Sequence, residues 1–333
     1  MLSLTTRHRP GVFVVSLDFE LMWGVRDVKS KADYRENIIG VRQAIPAMLS
    51  MFSLYEITAT FATVGLLFAK DRSELQTVLP ARIPNYLNRR LSPYNDYIKS
   101  IGLNEKEDPY HFGLSLIDLI DQADQEIACH TFSHYYNLEE GQDTEDFRAD
   151  LLAALHIASA RGFKMRSIIF PRNQYNEACL AVCKEEGFIC FRGTEQSWLY
   201  RSSSSAKETF FRRILRLGDA YVNLSGYHCF DIRRMNERGI VNLPSSRFLR
   251  PYSHRLSFLE AYRMRRIKDG MTHAAKNGLG YHLWWHPHNF GVNLKHNIDF
   301  LESILIHYKK LSREYDFRNL SMRKLADEMS SKS

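Results

Sequence analysis

GVFVVSLDFELMWG, residues 11–24, decides how the rest of the chain is read. From Val12 to Val15 every residue is apolar, and most are β-branched. A strand with one wet face alternates, whereas a strand covered on both faces does not. The run is short, so it reads as a buried parallel strand. It ends on Asp18 and Glu20, which a period of two puts on the same side. Carboxylates are rarely buried without a partner, and the end of a central strand is a poor place for a solvated charge. A metal or a cationic group would explain the pair. The plainer alternative is a loop pair that caps a helix or bonds Arg26.

Outward from this strand the pattern alternates. A helix is predicted over Ala32–Leu54, with apolar Ile38, Val41, Ile45 and Leu49, then a strand at ITATFATV and a helical start at GLLFAKD. Helix SLIDLIDQA, strand QEIACHTF, a helix over Thr144–Arg161, strand SIIFP, helix NEACLAVCKEEGF and strand FICFRG follow. Later come a helix over Ser257–Lys276, strand GYHLWWHP and two closing helices. Repeated β–α units imply a parallel sheet, open or closed into a barrel, with its site at the C-terminal strand ends. Arg72–Phe112, punctuated by Pro80, Pro84, Pro93 and Pro109, and Thr194–Pro251 break the rhythm. They read as insertions into a single domain spanning 1–333.

Composition narrows the function classes. The 333 residues are 44% hydrophobic, which suits a sizeable core. No apolar run reaches bilayer length. The first residues, MLSLTTRHRPGVFVVSLDFE, do not read as a secretory signal, so a cytoplasmic protein is expected. Five scattered cysteines without a CxxC fit reduced thiols, and Cys179 and Cys183, one helical turn apart, read as core packing. The net charge of +7 is spread along the chain apart from clusters such as RMRRIK (Arg263–Lys268). Nucleic-acid binding is therefore not expected; peripheral membrane association or a phosphorylated substrate accounts for the charge as well.

Other strand ends carry chemistry too. ACHTFSHYYN places His130 and His134 four apart, so one turn of helix would aim both imidazoles at one point. The spacing alone is weak among 13 histidines: His282 and His286 repeat it, and capping or packing roles remain open. SIIFPRNQYN ends on Arg172 and Asn173. In YHLWWHPHNFG, His282, Trp284 and His286 alternate on one face until Pro287, and His288 and Asn289 follow. Four strand ends with acid, base or metal-type groups point to one assembled site.

The order of these motifs resembles the polysaccharide deacetylase family, also called NodB-homology or carbohydrate esterase 4, from roughly Val12 to Ala326. The resemblance implies an α/β fold, a distorted (β/α)7 TIM-like barrel, and removal of acetyl from an N-acetylated sugar with a divalent metal, commonly zinc. HTFSH matches the family's His-[Ser/Thr]-xx-His, which implies His130 and His134 as ligands. SLDFE departs from the usual Thr-Phe-Asp-Asp-Gly. Asp18 matches the catalytic base, Phe19 stands where the metal-binding Asp normally lies, and Glu20 supplies the missing oxygen, with an exchange of the two carboxylate roles left open. FPRNQ implies that Arg172 orients Asp18. HLWWHPHNF implies His286 as general acid with Trp284 and Trp285 as apolar walls; apart from the resemblance, Asn289 and His288 are candidates to tune His286 through a hydrogen bond. The expected location resembles members that serve bacterial lipopolysaccharide (O-antigen) or capsule biosynthesis. The implied partner is then an acetamido sugar or glycan, lipid- or nucleotide-linked. Phe19 motivates two rivals: an altered or inactive sugar-binding protein of this fold, and a metal-free amidohydrolase. A glycoside hydrolase using Asp18 and Glu20 is a third; two residues apart on one strand, they sit too close for the inverting geometry.

Overall fold

A computed structural model describes residues 10–200, 210–237 and 239–331. Its strands are β1 (Val12–Phe19), β2 (Thr60–Thr63), β3 (Glu126–Cys129), β4 (Ser167–Ile168), β5 (Cys190–Phe191), β6 (Asn236–Glu237), β7 (Ile240–Asn242), β8 (Arg247–Phe248), β9 (Gly280–Trp285) and β10 (Arg318–Asn319). They pair in the order β6-β7-β5-β4-β3-β2-β1-β9-β8, with β10 beside the start of β1. Only the β6–β7 hairpin is antiparallel. The helices are α1 (Lys31–Leu54), α2 (Arg72–Thr77), α3 (Asp96–Lys99), α4 (Leu114–Gln122), α5 (Thr144–Ala160), α6 (Glu177–Glu185), α7 (Phe210–Asp219), α8 (Glu260–Asn277), α9 (Leu294–Tyr315) and α10 (Met322–Ser330).

One stretch closes the sheet. β7 pairs with β5 and β8 with β9, yet only four residues separate β7 from β8. Along it, Leu243 N donates to Phe191 O (2.9 Å) and Ser245 N to Gly193 O (2.9 Å). Ser246 N then donates to His282 O (2.8 Å) and Leu249 N to Trp284 O (2.7 Å). A single bent stave, Ile240–Leu249, is thus bonded to β5 at its start and to β9 at its end. With it the sheet is a distorted (β/α) barrel, the expected fold. The sequence reading placed this stave inside an irregular insertion. Its apolar alternation is only three residues long before Pro244-Ser245-Ser246, and each half pairs with a different neighbour, so no local signal marks it as a strand.

Alternation along β1 divides the interior. Phe13, Val15, Leu17 and Phe19 join the core under the helices, where α1 contributes Ile38, Val41, Ile45, Met48 and Phe52. Val12 and Val14 face the barrel interior with Ala62, Ala128, Ile169 and Val241, and α10 plugs this end with Met322, Leu325 and Ala326. Further along the same inward row come Ser16 and Asp18, so the filling changes from apolar to charged towards the C-terminal strand ends. Across the polar layer, Arg192 donates to Ser16 Oγ (3.0 Å), the Ser16 hydroxyl donates to His282 Nε2 (2.8 Å), and His282 Nδ1 donates to the Leu243 carbonyl (3.0 Å). This chain ties β5, β1, β9 and the closing stave together.

The Arg72–Phe112 excursion packs on the outside. Trp23 Nε1 donates to His111 O (2.8 Å), and His111 bonds Asp108 (2.8 Å) and the Tyr97 hydroxyl (2.7 Å). Among the described residues no helix is long and apolar enough to cross a membrane.

Replacing His282 by Ala strips partners from Ser16 and Leu243, at about 1–3 kcal/mol per orphaned buried group. Burial first, and Arg192 second, push the His282 pKa down from 6.5 to about 3. The unfolded chain therefore binds this proton below about pH 6.5 and the folded chain does not, so stability falls as pH drops from there towards about 3. Thermal melts across pH should show a lower Tm in H282A and a shallower acid slope than in the wild type.

Candidate metal centre and its surroundings

Asp18 and Glu20 leave the end of β1 on its inner side, while Phe19 between them is fully buried in the outer core. Past Glu20 the chain turns tightly through Leu21–Gly24. The Glu20 carboxylate lies where a Cβ on Gly24 would stand, so glycine there leaves it room.

His130 follows β3, but the residues to His134 do not form the expected helical turn. Thr131 and His134 both take left-handed backbone angles (φ 61°). The loop is held from α5 by Asp150, which accepts from Phe132 N (2.7 Å), Ser133 N (3.2 Å) and the Ser133 hydroxyl. Thr131 Oγ1 accepts from Tyr135 N (2.7 Å). A sharp, pinned loop thus aims the two imidazoles at one point.

Second partners fix which ring nitrogen carries the proton. His130 Nδ1 lies 2.8 Å from the Ile169 carbonyl, so it must donate, and Nε2 presents a lone pair to Glu20 Oε2 at 3.3 Å. Tyr136 gives its hydroxyl proton to Asp27 (3.3 Å), so its oxygen accepts from His134 Nδ1 (3.1 Å). His134 Nε2 then also turns a lone pair to Glu20 Oε2, at 3.0 Å. Burial, outweighing Glu20, lowers the His134 pKa to about 4, so this ring is neutral at neutral pH. With both rings neutral, two imidazole lone pairs and a carboxylate oxygen, within 4.8 Å of one another, repel unless a cation lies between them. Two neutral imidazoles and one carboxylate are a donor set that suits zinc and other first-row divalent ions.

Beside this cluster Asp18 is gripped by Arg192, whose nitrogens lie 2.7 and 2.8 Å from Oδ1 and Oδ2. Arg192 leaves the end of β5, is fully buried, bonds Asn173 Oδ1 (3.0 Å) and lies 4.0 Å over the Trp284 ring. Burial alone would raise the Asp18 pKa; Arg192, with His130 and His286 behind it, reverses this and holds it below the usual carboxylate range. His286 Nε2 stands 3.8 Å from Asp18 and 3.7 Å from Glu20 Oε1. Its ring stacks on His288 (4.9 Å, 15°), and Asn289 Nδ2 is 3.5 Å from its Nδ1. His288 is buried, with no hydrogen-bond partner at Nδ1 among the described residues, and faces Glu20 Oε1 at 3.9 Å.

The structure brings Asp18, Glu20, His130, His134 and His286 together, and leaves Arg172 apart. Arg172 takes a left-handed φ of 53° in the turn after β4 and extends to the rim, where it pairs with Asp27 and lies 4.3 Å over the Tyr136 ring. The place expected for it beside Asp18 belongs to Arg192. The rule that singled out the other strand ends applies equally to FICFRG, and would have found Arg192. Trp284 borders the site, whereas Trp285 points the other way, onto Met48 Sδ (3.3 Å) and Phe52, so only one of the two expected walls is present.

A protein of Mycobacterium smegmatis assigned as a polysaccharide deacetylase superposes with a TM-score of 0.61 at 12% identity, over 98% of this chain and 92% of that one. The chain has the polysaccharide deacetylase fold. A Pseudomonas aeruginosa PAO1 protein assigned likewise gives a TM-score of 0.54 at 11% identity, covering 95% of this chain and 89% of its own. An allantoinase gives the same values, so the deacetylase fold is shared with a different activity. No family model matches the sequence, and no curated protein does. At such identities the likeness carries the fold alone; the chemistry must be argued from the side chains.

Replacing Gly24 by Ala pushes a Cβ into the Glu20 carboxylate, which can swing away without disturbing the backbone. Zinc affinity, followed by chelator competition, should drop about 10–100-fold, with the metal-free Tm nearly unchanged.

Proposed function

We propose that the protein is a metal-dependent N-deacetylase, cytoplasmic, acting on an N-acetylated sugar of a bacterial surface polysaccharide or its precursor. The observation that carries the reading is the convergence of ligand-type atoms from Glu20, His130 and His134, next to a carboxylate held ionised by Arg192. Those three residues would hold the ion, with zinc favoured by the donor set. A divalent cation bound there lowers the pKa of water and polarises an acetyl carbonyl.

The chain's own groups do the proton work. Asp18 takes a proton from the attacking water. Arg192 keeps Asp18 ionised and fixes its plane, the part assigned earlier to Arg172. As the C–N bond breaks, His286 delivers a proton to the leaving amine nitrogen, which makes an amine rather than an amide anion the leaving group. Hydroxyl adds to the acetyl carbon, and the products are acetate and an amino sugar. His286 is about one-quarter exposed (23%) and borders the same cavity as Trp284 and Arg172, so it can reach a substrate that the more deeply buried Asp18 and Glu20 meet only from below. Arg172 is assigned to substrate contact at the rim. A metal-free amidohydrolase draws on Phe19 alone, and the facing lone pairs weigh against it.

Acetate release from acetylated oligosaccharides, read by enzyme-coupled assay, should vanish in His130→Ala and after chelation, and return with zinc. Activity that survives both treatments rules the proposal out. Asp18→Asn should lower kcat by about 10²–10⁴-fold. In Arg192→Gln, Asp18 loses the charge that depresses its pKa, so the acid limb of the pH–rate profile should move upward. In Arg172→Gln that limb should stay and KM should rise.

A further inference from the structure

A cavity of about 740 Å³ opens from His286, Trp284 and Asn173, a volume suited to a small ligand. Six arginines line it, Arg90, Arg172, Arg213, Arg216, Arg247 and Arg250, against two carboxylates, Asp27 and Glu195. Those carboxylates do little to balance the charge. Asp27 is taken by Arg172, and burial raises the pKa of Glu195, which favours its neutral form. Arg247 is committed to Asp219 (2.6 Å). Arg90, Arg213 and Arg250 have no acidic partner among the described residues. Burial first, and then Arg216 and Arg263 among its neighbours, work against the charged form of Arg250. Arg90 and Arg213 are exposed and Arg250 is half-buried, so mutual repulsion, with burial added at Arg250, favours an anion that supplies the counter-charge.

We propose that the wall formed by Arg90, Arg213 and Arg250 binds a phosphate or diphosphate group on the substrate, holding it in the same cavity as the acetamido sugar. Guanidinium forks match phosphate oxygens two at a time, and three arginines without an acidic partner among the described residues call for more than the single charge of a carboxylate. This rests on the deacetylase reading only for the sugar end; the anion site stands on its own residues. Two sources carry such a group. A sugar nucleotide is one. A lipid-linked sugar is the other, and α7 gives it a surface: Arg213 and Arg216 line the cavity while Phe210, Phe211, Ile214 and Leu217 of the same helix are exposed.

Isothermal titration of the full-length protein with inorganic pyrophosphate tests this without knowledge of the sugar. Saturable binding should weaken at least about tenfold in Arg213→Gln/Arg250→Gln, a variant expected to keep its Tm and zinc content because neither arginine has a structural ion pair. Absence of binding, or equal binding by that variant, overturns the proposal. So does weakening in His130→Gln instead, which places the anion at the metal centre. Uridine diphosphate and farnesyl diphosphate then separate the sources: tighter binding than pyrophosphate by one names the carrier, and a gain by neither puts the phosphate on the sugar itself. Acetate release is read separately. Turnover without anion binding removes this inference and leaves the deacetylase; anion binding without turnover on any acetylated sugar does the reverse.

Discussion

A buried carboxylate gripped on both oxygens by a buried guanidinium, Asp18 with Arg192, organises the polar end of this barrel. Neither charge could sit there alone, because removing one partner of such a pair strands the other in a poor solvent. The pair therefore requires β1 and β5, which are not neighbours in the sheet, to face each other across a closed interior. Closure in turn needs the Ile240–Leu249 stave between β5 and β9. The ion pair, the serine–histidine chain beneath it and the closing stave are mutually dependent, and their outcome is a carboxylate that stays ionised at the edge of a cavity.

The two carboxylates of the first strand thereby acquire different characters from different neighbours. Asp18 faces a permanent cation that holds it ionised. Glu20 faces two imidazoles whose protons are committed elsewhere, to a backbone carbonyl and a tyrosine oxygen. Burial works to raise its pKa, but the nearby His286 and His134 hold it well below the usual range. In the proposed reaction the same residue type would serve as a base or as an ion ligand according to whether the opposite charge is supplied by the chain or must be imported.

Beyond the centre, the cavity continues the imbalance. The modest positive charge of the whole chain is uninformative, because it is spread along the sequence. What matters is that folding gathers six arginines around one cavity and spends the nearby acids on pairs of their own or on burial.

By itself the sequence determined the strand–helix alternation, the layer of chemistry at the strand ends, and the candidate set Glu20, His130 and His134, because each rests on local periodicity and on residue types within a few positions of a strand end. Tertiary structure decided the rest. Arg172 and Arg192 both end strands, and only the left-handed turn after β4 against the inward exit of β5 settles which one meets Asp18. His130 and His134 converge through a loop pinned by Asp150, sixteen residues beyond His134, and not through the helical turn their spacing suggested. Trp284 and Trp285 separate into site and core only because β9 lies between the cavity and α1. The closing stave, Ile240–Leu249, carries almost no pattern of its own, since its hydrogen bonds go half to one neighbour and half to another. Such partners lie dozens of residues away, and no local rule can name them.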